Sequence, residues 1–202
     1  MSIHPSRQAL SLVPLFVVLA LLVLCLSACE PALKYPDEKT AGTATPINNT
    51  SSASIVGSPS ISASFINQVL IAYHSPAAGK GQALYDLGVQ YHIDPAWALA
   101  FFMHESLFGT KGEATFTRSL GNLRCIPNYP CPHGYAQFPS WEEGFKAWFV
   151  LLSGPLYIGA GRTAVEDIVH RYAPAADNNN ELAYCAALSA AVQEWRAGHV
   201  TV

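Results

Sequence analysis

The stretch over residues 94–110, Asp94-Pro95-Ala96-Trp97-Ala98-Leu99-Ala100-Phe101-Phe102-Met103-His104-Glu105-Ser106-Leu107-Phe108-Gly109-Thr110, constrains the fold most. It is the most apolar helix candidate outside the N-terminal segment, and a single carboxylate stands near its end. Asp94 can cap the first turn, Pro95 suits the first helical position and Gly109 is a natural exit, so the signals predict a helix over 95–107. Ala98, Phe101 and Phe102 precede Glu105 by seven, four and three residues, which puts them on or beside its face. Two effects then act on Glu105 in one direction. Burial against aromatic rings disfavours the charged form, and the negative end of the helix dipole disfavours it again. A glutamic acid that keeps its proton near neutral pH can serve as a general acid, the proton donor of glycoside cleavage.

The N-terminus sets the compartment. Residues 12–26 are almost wholly apolar, preceded by Arg7 and followed by Ser27-Ala28-Cys29, the pattern of a secretory signal with small residues before its cleavage point. The run Leu26-Ser27-Ala28-Cys29 resembles the lipobox of bacterial lipoproteins, which makes Cys29 the expected lipid attachment site. An uncleaved anchor is the competing reading, but this run is broken by Pro14 and falls short of the roughly twenty apolar residues a spanning helix needs. Either way the remainder is expected outside the cytoplasm, held at the bacterial membrane through its N-terminus or secreted.

Charge and cysteine use agree with export. Removing residues 1–29 takes Arg7 from the 11 Lys plus Arg and none of the 14 Asp plus Glu, so the mature chain is more acidic still. That sign, with no Lys/Arg cluster, argues against nucleic-acid binding. Cys125 and Cys131 flank a loop containing Pro127 and Pro130, so a bridge between them is the economical expectation, with Cys185 able to replace either. A zinc site built on Cys125, Cys131 and His133 has the wrong spacing and lacks a fourth ligand. No metal and no cofactor are expected.

Three regions follow: a lipoprotein signal over 1–29, a flexible linker over 30–60 rich in Pro, Ser, Thr, Ala and Asn, and one domain over 61–202. As a coil the linker spans on the order of 30 Å, a tether rather than a module. Within the domain, Ser64 can cap a first helix, and a second is expected over 81–91. Ser140 with Glu143 and Thr163 with Glu166 form capping boxes for two more. A last helix over 180–197 offers Leu182, Leu188, Val192 and Trp195 for packing. Between 109 and 139 Gly and Pro abound, and residues 115–124 and 134–138 are expected as the strands of a small hairpin. The fold class is therefore mainly α (α+β), a helical domain with a small irregular β-hairpin or loop insertion. The four tryptophans, Trp97, Trp141, Trp148 and Trp195, sit at helical packing positions.

In order along the chain stand His104-Glu105-Ser106 with Phe108-Gly109-Thr110, Ser119-Leu120-Gly121-Asn122-Leu123-Arg124, Gly134-Tyr135-Ala136-Gln137-Phe138, Trp141-Glu142-Glu143-Gly144-Phe145, and Arg171-Tyr172-Ala173-Pro174 with Asp177-Asn178-Asn179. With these features the domain resembles the lysozyme-like glucosaminidase family of peptidoglycan hydrolases. The order Glu-Ser, Gly-x-x-Gln, Tyr is also similar to goose-type lysozymes and lytic transglycosylases. The resemblance implies a lysozyme-like fold and cleavage of the β-1,4 linkage between the amino sugars of peptidoglycan, of the endo-β-N-acetylglucosaminidase type, with Glu105 as proton donor. It implies that Tyr135 and Gln137 line the sugar groove and that Tyr172 reaches back over the glutamate. Asn122 could bond substrate or close a turn, and the turn is favoured.

A second carboxylate is the missing part. Glu113, in the loop after Glu105, is the best candidate, while Asp94 is better explained as a cap. Without a facing acid, the substrate's own N-acetyl group could stabilise the oxocarbenium-like centre, which also suits a lytic transglycosylase. His104 reads as a packed or capping residue rather than a catalytic one. A wall-binding lipoprotein that retains the groove without turnover is the alternative from another class, and a structural partner that positions other hydrolases is a weaker one. The expected partners are peptidoglycan strands and, through the lipid, the membrane, with the protein acting as a monomer.

Overall fold

A single helix, α3 (Pro95–Ser106), threads the centre of the domain in the computed structural model, which describes residues 53–202. Every residue over 95–102 is buried, so that stretch of α3 has no solvent face and neighbours must surround it. On one side lies α2 (Gly81–Tyr91), on which α1 (Ala63–Ala72) and α5 (Trp141–Ser153) pack. On the other side α7 (Glu181–Arg196) lies along α3 and carries α6 (Val165–Tyr172). A one-turn helix, α4 (Ala114–Thr117), and three short 3-10 turns complete the elements among the described residues. The signal, Cys29 and all but the end of the 30–60 linker lie outside the described residues.

The predicted bounds of α3 hold to within a residue because their causes are local. The Asp94 side chain accepts from Ala96 N–H at 3.0 Å and Pro95 fills the first position. At the other end the chain leaves through Leu107, Phe108 and Gly109, all with positive φ. The turn therefore begins two residues before the expected glycine. Gly109 itself has no room for a side chain, since a Cβ would lie 2.7 Å from Leu120 and 3.1 Å from Trp141.

The core is aromatic. Phe101 and Phe102 lie 5.4 and 5.3 Å from Trp148, and Phe102 stacks on Phe145 at 5.7 Å. Truncating any of these rings to alanine would cost about 3–5 kcal/mol. Trp97, Trp148 and Trp195 are fully buried as expected, and Trp141 is half-buried against the Gly109 turn.

Four expectations need correction. The domain begins before residue 61: Ile55 is fully buried, its N–H donates to Thr163 O, and its carbonyl accepts from Asp94 N–H at 3.0 Å. One buried isoleucine with backbone pairing is enough to hold a polar segment whose composition alone reads as linker. The first helix is capped by Ser62, not Ser64. The second capping box does not form, because Ala164 occupies the cap of α6 and there pairs with Ser54. The hairpin shrinks to one isolated bridge between Arg124 and Tyr135. Positive φ at Arg118 and Asn122 interrupts the first strand, and Thr117 bonds back to Glu113 O in a helical turn. The second strand spends its N–H groups on four separate partners, Pro132, Leu123, Pro130 and Thr117, rather than on one ladder. The architecture is mainly helical, with an irregular insertion over 109–139 in place of a sheet.

Candidate active site

α3 and α7 run antiparallel, which the contacts at their ends establish. Asp94 at the start of α3 meets Arg196 at the end of α7 (2.8 Å), and Glu105 near the end of α3 meets Tyr184 near the start of α7. The Tyr184 hydroxyl donates to Glu105 Oε1 at 2.5 Å. Asn122 Nδ2 donates to the Glu105 backbone carbonyl at 2.9 Å and to Oε2 at 3.3 Å.

Ser106 explains how Asn122 is delivered there. Its hydroxyl donates to Leu120 O at 2.8 Å and accepts from Gly109 N–H at 2.9 Å, tying the 119–122 turn to the end of α3. Ser119 Oγ accepts from Leu123 N–H and Asn122 N–H bonds Ser119 O, closing that turn with Asn122 at φ 48°. Asn122 thus closes the turn, as favoured from sequence, and also holds the carboxyl. Gly121 is required by close approach: a Cβ there would lie 2.6 Å from Trp148 and 2.7 Å from the Tyr172 hydroxyl.

Glu105 opens into a cleft of about 660 Å³. Its walls include Asn122, Arg124, Tyr135, Tyr157, Arg171, Tyr172, Asp177 and Asn179. A smaller hollow of about 330 Å³ adjoins it, sharing Ile126 and Leu151. The second hollow is lined largely by apolar side chains, and its acid, Glu143, accepts a hydrogen bond from the Tyr129 hydroxyl at 3.1 Å.

Burial pushes the Glu105 carboxyl above the ordinary glutamate value, opposed in part by the Tyr184 and Asn122 hydrogen bonds and by the positive charge of Arg124. Burial also raises both Tyr172 and Tyr184, reinforced by the Glu105 charge, so each remains a phenol and a donor. The aromatic lining is Tyr135, Tyr157 and Tyr172, and behind it the buried Phe101 ring lies 5.2 Å from Tyr172 and 5.8 Å from Tyr184. His104 packs its ring 3.8 Å from that of Tyr184, and partial burial holds its imidazole below the usual histidine value. At neutral pH it is uncharged.

Of the residues singled out from sequence, Glu105, Asn122, Tyr135 and Tyr172 line this one cleft. Gln137 does not line it; its side chain faces Phe116 O at 3.5 Å. Glu113 is also elsewhere, paired with His133 at 3.0 Å, because the turn of α4 carries it away from the end of α3. Tyr172 donates to Gly121 O, not to Glu105, so it fixes the turn that presents Asn122. The tyrosine on the glutamate is Tyr184. Cys125 and Cys131 are bridged, which removes both from any metal set, and Cys185 is the free cysteine among the described residues.

In the last helix Leu188, Val192 and Trp195 pack as expected, and Tyr184 takes the place expected of Leu182. Leu182, expected to pack, is 85 % exposed, whereas Tyr184, Leu188, Ala191, Val192 and Trp195 form the buried face. Those positions follow the spacing i, i+4, i+7, i+8, i+11, and Tyr184 is the one with a polar tip. That signal was present. Asp177, Arg171 and Asn179 carry no such periodicity and reach the cleft only through the tertiary fold.

No protein-family model matches this chain, and a search of curated proteins finds no match.

Proposed function

We propose that this protein is an exported glycosidase that cleaves the β-1,4 glycan linkage of peptidoglycan, of the endo-β-N-acetylglucosaminidase type, with Glu105 as general acid. One observation carries the reading: the Glu105 carboxyl, raised by burial and gripped by two neutral donors, opens into a cleft with aromatic and amide groups suited to a sugar chain. Tyr184 occupies Oε1 closely, so Oε2, held by the longer Asn122 contact, is the oxygen that carries the proton. Transfer of that proton to the glycosidic oxygen breaks the bond from the sugar carbon, and the aglycone leaves as an alcohol. The new carboxylate keeps both hydrogen bonds, which strengthen as negative charge develops. Water then adds to the sugar carbon and returns a proton to Glu105.

The domain would work at the outer face of the bacterial membrane, with Cys29 as lipid anchor and the linker as tether. With Glu113 paired to His133, a second acid beside Glu105 has to come from elsewhere in the cleft or from the substrate's N-acetyl group. This favours as second reading a lytic transglycosylase, in which the sugar's own hydroxyl replaces water. Digestion of purified cell walls by the mature protein and by Glu105→Gln tests both. Muropeptides with reducing ends identify hydrolysis and anhydro-sugar ends identify transglycosylation. Equal release by the two proteins would refute the role of Glu105, and tight wall binding with no release by either would leave a wall-binding lipoprotein.

A further inference from the structure

The cleft is electrostatically unlike the chain that builds it. The protein is net acidic at −3, yet the cationic side chains lining the cleft are two arginines, Arg124 and Arg171, against the acids Glu105 and Asp177. With Glu105 protonated, the lining carries two positive charges and one negative. Lys80 and Arg196 are each paired with a carboxylate, to Glu142 and Asp94. Neither Arg124 nor Arg171 has such a partner among the described residues.

Arg124 is held by a ring contact, and Arg171 is placed by the helix that carries it. Arg124 sits beside the Cys125–Cys131 bridge, with its guanidinium held 4.6 Å above the ring of Tyr135, itself a wall of the cleft. Stacking of this kind fixes the plane of the guanidinium while leaving its N–H edges free to bond. Arg171 stands in the last turn of α6, next to Tyr172, which is locked to Gly121. Its charge is near enough to Tyr157 to act on that phenol. Planar donors with open edges match carboxylates in paired fashion, and Glu105 does not take that place, since Tyr184 and Asn122 already hold its oxygens.

We propose that Arg124 and Arg171 form an anion-recognition pair that selects glycans bearing carboxylate groups over neutral glycans of the same linkage. This inference rests on the glycosidase reading for its substrate class. The carboxylate has two possible sources with shared chemistry, the ether-linked acid on the sugar or the acids of an attached peptide. Arg124 and Arg171 are binding residues here, and Glu105 remains the proton donor.

Binding is measured in the Glu105→Gln background, which prevents turnover and removes any effect of Arg124 on the Glu105 proton. The probes are neutral β-1,4-linked N-acetylglucosamine oligomers, glycan strands stripped of peptide so that the sugar acid is free, and strands with peptide attached. Added Arg171→Gln or Arg124→Gln should weaken binding of acidic strands by about tenfold or more each, the scale of one charge-assisted contact. Neutral oligomers should bind within about twofold of the parent, since they present no charge to that contact. Arg171→Lys should restore part of the loss. Weakening on stripped strands assigns the sugar acid, and weakening confined to peptide-bearing strands assigns the peptide. Equal weakening on the neutral oligomers, or none on either acidic strand, overturns the proposal. Failure of the Glu105-dependent digestion described above would instead remove the glycosidase reading and leave this binding comparison standing.

Discussion

The two ends of α3 each hold a carboxyl group near the helix terminus, and the fold treats them oppositely. Asp94 is 3 % exposed, accepts from the N–H groups of Ala96 and Ser60 at 3.0 Å, and pairs with Arg196 at 2.8 Å. It stands at the positive end of α3, and Arg196 at the negative end of α7, so both helix dipoles favour the pair. Glu105 lies near the negative end of the same helix, and its two side-chain donors are neutral. Charge is accommodated at one end and discouraged at the other. The lesson is that burial alone does not make an acid reactive; what surrounds it decides whether the proton stays.

The largest expected effect separates the two ends by activity. Glu105→Gln should lower glycan cleavage by about a thousandfold, in the range of general-acid catalysis, while leaving the fold intact. Asp94→Ala should do the reverse. Loss of the cap and of charge-assisted hydrogen bonds should cost about 2–3 kcal/mol in denaturant unfolding, with the pH dependence of residual activity unchanged.

A smaller effect sharpens the contrast through pH. Because the Glu105 carboxyl is raised in the folded state, that state binds its proton more tightly than the unfolded chain does. Its contribution to stability is therefore greatest below the ordinary glutamate range and declines as pH rises towards the raised value. Glu105→Gln should remove this decline, visible as a Tm advantage at neutral pH that vanishes in acid. The smallest change is expected from Tyr184→Phe. It deletes a hydrogen bond that lowers the Glu105 value, so the alkaline limb of the activity profile should move to higher pH. A shift to lower pH would mean that Tyr184 stabilises the protonated acid instead.

Legibility in sequence followed the range of the interactions. The start of α3 and both ends of α5 are local events, a proline, a capping side chain, a terminal glycine, and they read directly. Glu105 is legible because it stands near the end of a helix whose apolar run is itself a sequence pattern. Tyr184 lies 79 residues away, and Ile55 is held by Thr163 and Asp94. Only the packed chain brings those together. The failed hairpin belongs to an intermediate case: Thr115, Phe116 and Thr117 suit a strand, but the left-handed turns at Arg118 and Asn122 break it into separate pieces. Those same turns deliver Asn122 to the carboxyl, so the irregularity that defeated the strand reading is part of the site.

The central claim is that Glu105 keeps its proton where an ordinary glutamate would have lost it. The direct measurement is an NMR titration of the Glu105 side-chain carboxyl carbon in the folded domain, with Glu105→Gln to assign the resonance. A midpoint clearly above 4.5, the ordinary glutamate value, is the result predicted here. A midpoint at or below it would show a carboxylate already charged at working pH, and the general-acid role would fall.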